Sequence, residues 1–343
     1  MANIFARSPY LIRIAETGQN GSKVELFLSA TTFSVSPQYT LSKLIPASNN
    51  VETLYDISPY IREYIRFASC SAGGNAAVTN PTTERVNVKV IRYKLVGSTY
   101  TPLDTITYIA FDGSTYYESG YNFDLGNYGL DAGNYYYNPT SDAGKIRVTT
   151  GASFTARYTN LSTAVVTSLA VASSTFDIPR VRTANVNEGN KVEILNGASA
   201  VQATWYFYPL EECKYTPVII DFINKYGAWQ REFFFKASND TFSVENTEYN
   251  LMQTNSYNYN TLEGQRKVFN ANGKKSIKVN TGWVAETWSE VLKQIMLSER
   301  ILIDNKPAKI NSKSTELFKH INTKQINYSL DFEFAYDVIN SVI

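Results

Sequence analysis

Alternating apolar and polar positions recur along this chain and predict β-strands. From Val86 to Val90 every second residue is a valine, and the residues between them are polar. The same period of two returns from Asn327 to Phe334. The apolar residues that this second segment is expected to turn toward a core are Tyr328, Leu330, Phe332 and Phe334. Successive side chains of a strand point to opposite faces, so both segments predict strands with one buried face.

Dipeptides typical of tight turns separate the strand-like segments. They are Asn20-Gly21, Asp112-Gly113, Asn196-Gly197 and Asn272-Gly273. Asparagine, aspartate and glycine tolerate the positive φ angles of short hairpin turns. The flanking segments therefore predict hairpins in which residues 10–14 pair with 24–28, 106–111 with 115–118, 191–195 with 201–208, and 267–270 with 276–279.

Helical periodicity is confined to a few places. Apolar residues recur at helical spacing from Val284 to Leu297, which predicts an amphipathic helix there. The longest helix of the protein is expected to cover Trp288 to Leu297. A shorter helix is expected to begin at Ser58, where the serine could cap it and Pro59 suits its first position.

These elements predict a mainly β protein with two or three β-sandwich or barrel-like domains and one amphipathic helix near its carboxyl end. A Gly, Asn and Tyr-rich tract ends near residue 137, and a Ser, Thr and Val-rich segment follows it. We therefore expect an N-terminal β domain over residues 1–137, a small β unit or insertion over 138–204, and a C-terminal β domain over 205–343 that contains the helix 284–297.

Composition adds the first indication of function. Charged residues make up 18% of the 343 residues, below the roughly 25% typical of soluble domains. Aromatic residues reach 14%, and 25 of the residues are tyrosine. Tyrosine is favoured where protein surfaces meet, but it is also a strand former, so contact surfaces and ordinary sheet packing are both consistent with this composition.

Charge and hydropathy exclude several other classes. The net charge of +1 argues against a general nucleic-acid binder. We expect no membrane span, because no stretch approaches the roughly 18 consecutive apolar residues that a span needs, and no secretory leader, because the first residues lack an apolar core. Cys70 and Cys213 are expected to be buried free thiols rather than one bridge.

Catalytic chemistry has little support in this sequence. His320 is the only histidine, and no nucleophile elbow or phosphate-binding glycine loop accompanies it. The acidic pairs Glu211–Glu212 and Glu286–Glu290 have no spacing that is specific for glycoside cleavage. A calcium loop at residues 124–127 with Asp131 lacks the EF-hand spacing, so an ordinary turn is favoured. We therefore expect no catalytic, cofactor or metal site, and no enzyme.

A group of tyrosines on the Gly/Asn-rich tract is a candidate contact surface. Tyrosine on such loops offers a large, rigid contact area with a hydrogen-bonding tip. A subunit contact is favoured, with packing over a sheet and a glycan site as the alternatives. The candidate residues are Tyr116, Tyr117, Tyr121, Tyr128, Tyr135, Tyr136 and Tyr137.

A basic group around Asn272-Gly273 is a second candidate. It could meet phosphate, as in DNA passing through a channel, but a solvated hairpin or a contact with an acidic neighbour is favoured. The residues are Arg266, Lys267, Lys274, Lys275 and Lys278.

Parts of the sequence resemble a known group of proteins. The stretches are FARSPY (residues 5–10), LSKLIP with ISPYI (41–46 and 57–61), FINKYGAWQ (222–230) and YSLDFEFAY (328–336). Together they resemble uncharacterised structural proteins of tailed phages that infect Bacteroidota, including crAss-like phages. Residues 69–190 lie outside this resemblance, and none of the stretches is a catalytic motif.

The resemblance implies a virion component of the tail, baseplate or neck, assembled in the host cytoplasm. Its partners would be other virion proteins and copies of itself. A glycan-binding surface module of a Bacteroidota cell is the alternative from another class, and a capsid decoration or fibre-anchor protein is a further one.

Overall fold

Strands dominate the computed structural model of this chain. They account for 58% of the residues and helical turns for 8%, so the predicted mainly β, sandwich-like class is confirmed. The structure describes residues 2–46, 52–67, 78–79, 83–114, 135–149, 153–171, 175–251, 262, 264–312 and 325–338. The chain divides into two compact units, which are described separately.

The first unit comprises Met1–Glu211 and Ile223–Arg231. Its helix is α1 (Ser58–Tyr64), and a 3-10 turn covers Thr183–Asn185. Its strands are β1 (Ala2–Phe5), β2 (Leu11–Ile14), β3 (Gly21–Ser29), β4 (Tyr39–Leu44), β5 (Thr53–Asp56), β6 (Val78–Thr79), β7 (Arg85–Val96), β8 (Thr99–Phe111), β9 (Tyr135–Tyr137), β10 (Lys145–Thr149), β11 (Phe154–Asn160), β12 (Val166–Val171), β13 (Thr175–Pro179), β14 (Asn190–Leu195) and β15 (Val201–Pro209).

Four sheets are formed by these strands, with the orders β1-β8-β7-β3-β4, β2-β5, β10-β13-β6 and β12-β11-β14-β15-β9. Residues 138–204, which the sequence set apart, fall inside this unit. The predicted boundaries after residues 137 and 204 stay predictions.

The second unit comprises Glu212–Phe222 and Glu232–Ile343. Its strands belong to one seven-stranded sheet of order β17-β16-β20-β21-β22-β19-β18; Ile223 at the end of β16 and residues 229–231 at the start of β17 are counted with the first unit. The 3-10 turn Glu286–Trp288 leads into helix α2 (Ser289–Leu297). The strands are β16 (Val218–Ile223), β17 (Trp229–Phe234), β18 (Asn239–Asn250), β19 (Arg266–Ala285), β20 (Ile301–Ile303), β21 (Lys306–Ile310) and β22 (Gln325–Asp337).

The predicted alternations are present as buried stripes. Val86, Val88 and Val90 are fully buried on β7. On β22, Tyr328, Leu330 and Phe332 are buried, Phe334 is half-buried, and the residues between them are exposed or half-buried. Strand β22 lies inside the sheet between β21 and β19, which explains why its apolar stripe is covered.

The hairpin at Asn196-Gly197 is confirmed, since β14 pairs with β15 in antiparallel register. Its loop is held by Asn196, whose Oδ1 accepts hydrogen bonds from the backbone N–H groups of Ala198 and Ala200 at 3.0 and 2.9 Å. The residue with positive φ in this loop is Ser199, at 60°, and not the glycine.

Two predicted hairpins are wrong, and in both places the glycine serves close packing. Strand β2 pairs with β5, while β3 begins at Gly21 and pairs with β4 and β7. A Cβ on Gly21 would lie 2.6 Å from the carbonyl oxygen of Lys43 on the neighbouring strand. Gly273 lies within the continuous strand β19, and a Cβ there would lie 2.5 Å from the ring of Phe242. The segment predicted to pair with residues 106–111 lies outside the described residues.

Both predicted helices are present, and the second begins later than predicted. Helix α1 begins at Ser58 as predicted, but no side chain caps it, and the N–H of Ser58 donates to Asp56 Oδ1 at 3.0 Å. The predicted helix 284–297 is shorter, because β19 continues through Ala285 and pairs Val284 with Ile326 of β22. Sheet pairing therefore overrides the helical period at its first positions.

Segments distant in sequence meet around Asp112 in the first unit. Arg7 and Arg62 approach its carboxylate at 3.0 and 3.3 Å. Phe5 and Tyr226 pack with ring centroids 6.2 Å apart. Two of the stretches that carry the phage resemblance, residues 5–10 and 222–230, thus contribute side chains to one structural cluster.

Gly227 allows the backbone to approach Asp112 closely because it has no side chain. Its φ is +74°, and a Cβ there would lie 2.7 Å from the carbonyl carbon of Asp112. Gly18 has the same φ of +74° but nothing within 4 Å of its Cβ position. Substitutions at the two glycines therefore separate the cost of backbone strain from the cost of a steric clash.

We expect Gly227→Ala to destabilise the protein more than Gly18→Ala. Both variants bear the left-handed strain of about 1–2 kcal/mol, and Gly227→Ala adds overpacking of about 1–3 kcal/mol. Urea denaturation of both variants measures the difference. Equal midpoints would contradict the close approach at Asp112.

Candidate functional site

The structure separates the predicted tyrosine group into different environments. Tyr116, Tyr117, Tyr121 and Tyr128 lie outside the described residues, and of Tyr135 the structure describes the backbone, in β9. Tyr136 is 45% exposed. Tyr137 is buried, and its hydroxyl donates to the carbonyl oxygen of Val186 at 2.6 Å. Tyr137 is therefore a core residue of its own unit, whereas Tyr136 is available at the surface.

Tyr136 belongs to an exposed aromatic cluster that sequence reasoning missed. Strand β9 pairs in parallel with β15 and places Tyr136 opposite Tyr208. The ring centroids of these two residues are 5.8 Å apart, and those of Tyr206 and Tyr208 are 6.3 Å apart with nearly parallel planes. We call Tyr136, Tyr206 and Tyr208 the tyrosine cluster. In the sequence, the spacing of two between Tyr206 and Tyr208 was the signal that could have indicated a shared strand face.

Charged residues lie on the same sheet beside this cluster. Lys191, opposite Tyr206, contacts Glu193 at 2.6 Å, and Arg157 contacts Glu193 at 2.9 Å. Burial alone would raise the pKa of Glu193, but hydrogen bonds from Lys191 and Arg157 outweigh it and lower this pKa. The carboxylate is therefore ionised at neutral pH and neutralised by its neighbours.

The predicted basic group is not at a hairpin tip, because all five of its residues lie along β19. Its neighbours carry the opposite charge, with three acids on β18 and three on β22. Lys274 contacts Glu245 at 2.8 Å, and Lys275 contacts Asp240 at 2.9 Å. The hydrogen bond to Glu245 is the largest influence on the pKa of Lys274 and raises it. Cross-strand ion pairing of this kind disfavours a phosphate site.

The most exposed regular element among the described residues is β18. All of its 12 residues are exposed, and it is the edge strand of its sheet. It pairs along its whole length with residues 266–278 of β19. We call β18 and this part of β19 the ribbon.

One face of the ribbon continues the core face of the sheet into solvent. Asp240 pairs with Ile277, which is buried, and the period of two places Phe242 and Val244 on the same face. Phe242 is 57% exposed and Val244 58%. The ring of Phe242 extends over Gly273, where a side chain would displace it. Apolar side chains thus stand at the surface on a hydrogen-bonded and locally ordered scaffold.

A buried charged cluster lies in the first unit. The Arg147 side chain is 2% exposed, and its guanidinium contacts Glu84 at 2.5 Å and Asp177 at 3.0 Å. It also donates to the carbonyl oxygen of Gly227 at 3.3 Å. Burial alone would lower the pKa of Arg147, but the charges and hydrogen bonds of Asp177 and Glu84 outweigh it and raise this pKa. A substrate has no access to these groups, so their role is structural.

The remaining candidate residues form no reactive arrangement. His320, Cys70 and the tract 124–131 lie outside the described residues. Cys213 is a free thiol and is exposed, so its predicted burial is wrong. It lies between β15 and β16, outside any strand. Glu212 contacts Lys236 at 2.6 Å, and Glu290 contacts Lys293 at 3.6 Å. Among the described residues, no three His, Cys, Asp or Glu side chains group closely enough to hold a metal ion.

Within the described ranges, no helix has the length and apolar character that crossing a membrane requires.

No protein-family model matches this chain, and comparison with curated proteins and with solved structures found no similar protein. The two exposed surfaces, the ribbon and the tyrosine cluster, are therefore the candidate functional sites.

We expect Arg147→Met to lower the free energy of unfolding by about 3–5 kcal/mol, because it leaves two carboxylates buried without their cation. Arg13→Met is the control, because Arg13 pairs with Glu52 at 2.6 Å with its side chain 67% exposed. Such surface pairs contribute about 0–1 kcal/mol. Denaturant titrations measure both variants, and equal losses would contradict the assigned role.

Proposed function

We propose that this chain is a non-enzymatic structural subunit of a bacteriophage virion, in the tail, baseplate or neck, and that it acts through protein–protein contacts. The observation that carries the proposal is the ribbon, an exposed edge strand that presents apolar side chains. Exposed edges of this kind pair readily with other chains.

The ribbon has few of the devices by which monomeric proteins protect such edges. Strand β18 contains no lysine and no proline, and two of its three acids are paired with lysines of β19. The one bulge in its pairing with β19 has its extra residue, Phe269, on β19, so β18 itself remains a regular edge. A strand of this length, exposed on both faces, is a liability in a free monomer and useful in an assembly.

The setting of the assembly is supported by the sequence resemblance to phage structural proteins. Two of the resembling stretches, residues 5–10 and 222–230, meet in the cluster around Asp112, and a third, 328–336, lies in β22 beside the ribbon strand β19. These stretches therefore occupy positions on which the folding of the two units depends. Low charge and high aromatic content support subunit contacts as well.

Purified particles test this function. We expect mass spectrometry to find the chain in density-purified virions, at a constant ratio to the major capsid protein across the gradient. A replication enzyme of the same phage is the control and should be absent. Recovery of the chain only in the particle-free lysate would contradict a virion role. A low-resolution image of particles carrying a tagged chain then separates the tail, baseplate and neck from a capsid decoration or fibre anchor.

A matched pair of variants links incorporation to the ribbon. Phe242 and Val165 have similar exposure, 57% and 59%, but Val165 lies near the start of β12 in the first unit. Phe242→Asp should fold and fail to enter particles, because a charge replaces the apolar contact, whereas Val165→Asp should enter normally. Normal incorporation of Phe242→Asp would exclude the ribbon as the assembly contact.

The tyrosine cluster favours a second candidate, the binding of a surface glycan. Sugar rings stack on exposed aromatic faces, and hydroxyl groups of tyrosine supply hydrogen bonds at the edge. Tyr208→Ala should abolish retention on host polysaccharide, while Tyr100→Ala should not, since Tyr100 has the same exposure, 36% against 37%, on another sheet. Failure of the unmodified chain to bind any host polysaccharide would exclude this candidate.

A further inference from the structure

We propose that two copies of this chain pair through their β18 edges, antiparallel and about a two-fold axis that passes beside Ser243. This inference rests on the proposed function, in that it names a second copy as the partner of the ribbon. It follows from the register and the charge distribution of β18 and from the bulge of β19 beside it.

A bulge in the pairing of β18 with β19 sets the length of the edge that can pair. Regular pairing with β19 runs from Asn239 to Thr247 and shifts register at Glu248, where the extra residue is Phe269 of β19. A bulge increases the local twist of the strand pair, so the evenly twisted part of β18 ends there. The regular edge is therefore residues 239–247, and its central residue is Ser243.

A two-fold axis normal to the sheet leaves each side chain on its own face. Residues that lie opposite each other must then be on the same face. Alternative registers therefore differ by shifts of two residues in the partner strand. Full overlap of the regular edges places Ser243 opposite Ser243 of the second copy. In that register Phe242 lies opposite Val244, and Val244 opposite Phe242.

This pairing places the apolar side chains of the two ribbons side by side on one face. Pairs of aromatic and β-branched side chains are favourable across antiparallel strands. Phe242 and Val244 are both more than half exposed in the single chain. Two copies would join them into one continuous apolar stripe of four side chains.

Charge and apolar pairing together favour the same register. Full overlap places Asp240 opposite Asn246 and Glu245 opposite Thr241, so no like charges face each other. A shift that places Phe242 opposite itself also avoids like charges, but it sets Val244 opposite Asp240 and loses the pairing of Phe242 with Val244. Moving the partner by one step in one direction places Asp240 opposite Glu248, and a further step places Glu245 opposite itself. Like charges directly opposite are destabilising.

The acids of the edge are moreover already neutralised inside each copy. Asp240 contacts Lys275 and Glu245 contacts Lys274 on β19. Bringing two β18 strands together therefore does not require opposing cations from a partner. A foreign basic partner, by contrast, would have to compete with these internal pairs.

Cysteine cross-linking of the full chain tests the register. In a background with Cys70→Ser and Cys213→Ser, Ser243→Cys should form a disulfide-linked dimer under mild oxidation. Opposite residues of an antiparallel pair have Cα atoms about 4.5–5.5 Å apart, within disulfide reach. Thr247→Cys is the control on the same face of the same strand. Its two copies would lie roughly 27 Å apart, since a strand rises about 3.4 Å per residue, and should not cross-link.

A second pair of cysteine variants tests the register independently of Ser243→Cys. Thr241→Cys and Glu245→Cys should each remain uncross-linked alone and form a mixed dimer when combined, because these positions lie opposite each other. Sedimentation of the unmodified chain should show a dimer that Phe242→Asp converts to a monomer.

The outcomes distinguish this inference from the proposed function. Cross-linking of Ser243→Cys no stronger than that of Thr247→Cys, or a chain that sediments as a monomer throughout, overturns the pairing of two copies. If such a monomer is still found in virions, the function stands and the ribbon binds another protein. A dimer with the expected cross-links that never enters particles supports the pairing and overturns the virion role.

Discussion

The second unit depends on one continuous strand, β19, whose 20 residues pair with β18 on one side and β22 on the other. Side chains of a strand alternate with a strict period of two. The face of β19 that buries Ile277 and Val279 therefore stays the same face of the sheet along the rest of the strand. Toward Arg266 the described part of the sheet consists of β18 and β19 alone. The same face therefore carries Phe242 and Val244 into solvent, and the candidate contact surface is a geometric extension of the core.

Ion pairs serve different purposes in the two units. In the first, Arg147 joins Glu84 and Asp177 with almost no solvent contact, so removing one partner leaves buried charge. In the second, Lys274 and Lys275 meet Glu245 and Asp240 at the surface, where water screens each pair. The buried cluster contributes to the uniqueness of its packing. The exposed pairs contribute little stability, but they neutralise Asp240 and Glu245 on the outer strand of the ribbon, which permits an apolar contact between like chains.

Glycine shows why local sequence predicted some turns and not others. Asn196 does sit at a hairpin, because its side chain accepts hydrogen bonds from its own loop, which is a local interaction. Gly21 and Gly273 follow asparagine in the same way, yet they lie in strands. Their missing side chains make room for Lys43 on β4 and for Phe242 on β18, each on a neighbouring strand. A dipeptide reports the backbone angles that it tolerates and cannot report which neighbour needs the space.

The sequence by itself determined the mainly β class, the strands at Val86–Val90 and at Tyr328–Phe332, and helix α1, since period and local propensity act within a few residues. It also identified Tyr136 and the basic residues of β19 as surface candidates. Only the tertiary structure decided that Tyr137 is buried, that Tyr206 and Tyr208 join Tyr136, and that acids on β18 and β22 face the basic residues. Strand order and register bring these groups together, and both arise from pairing between segments far apart in the chain.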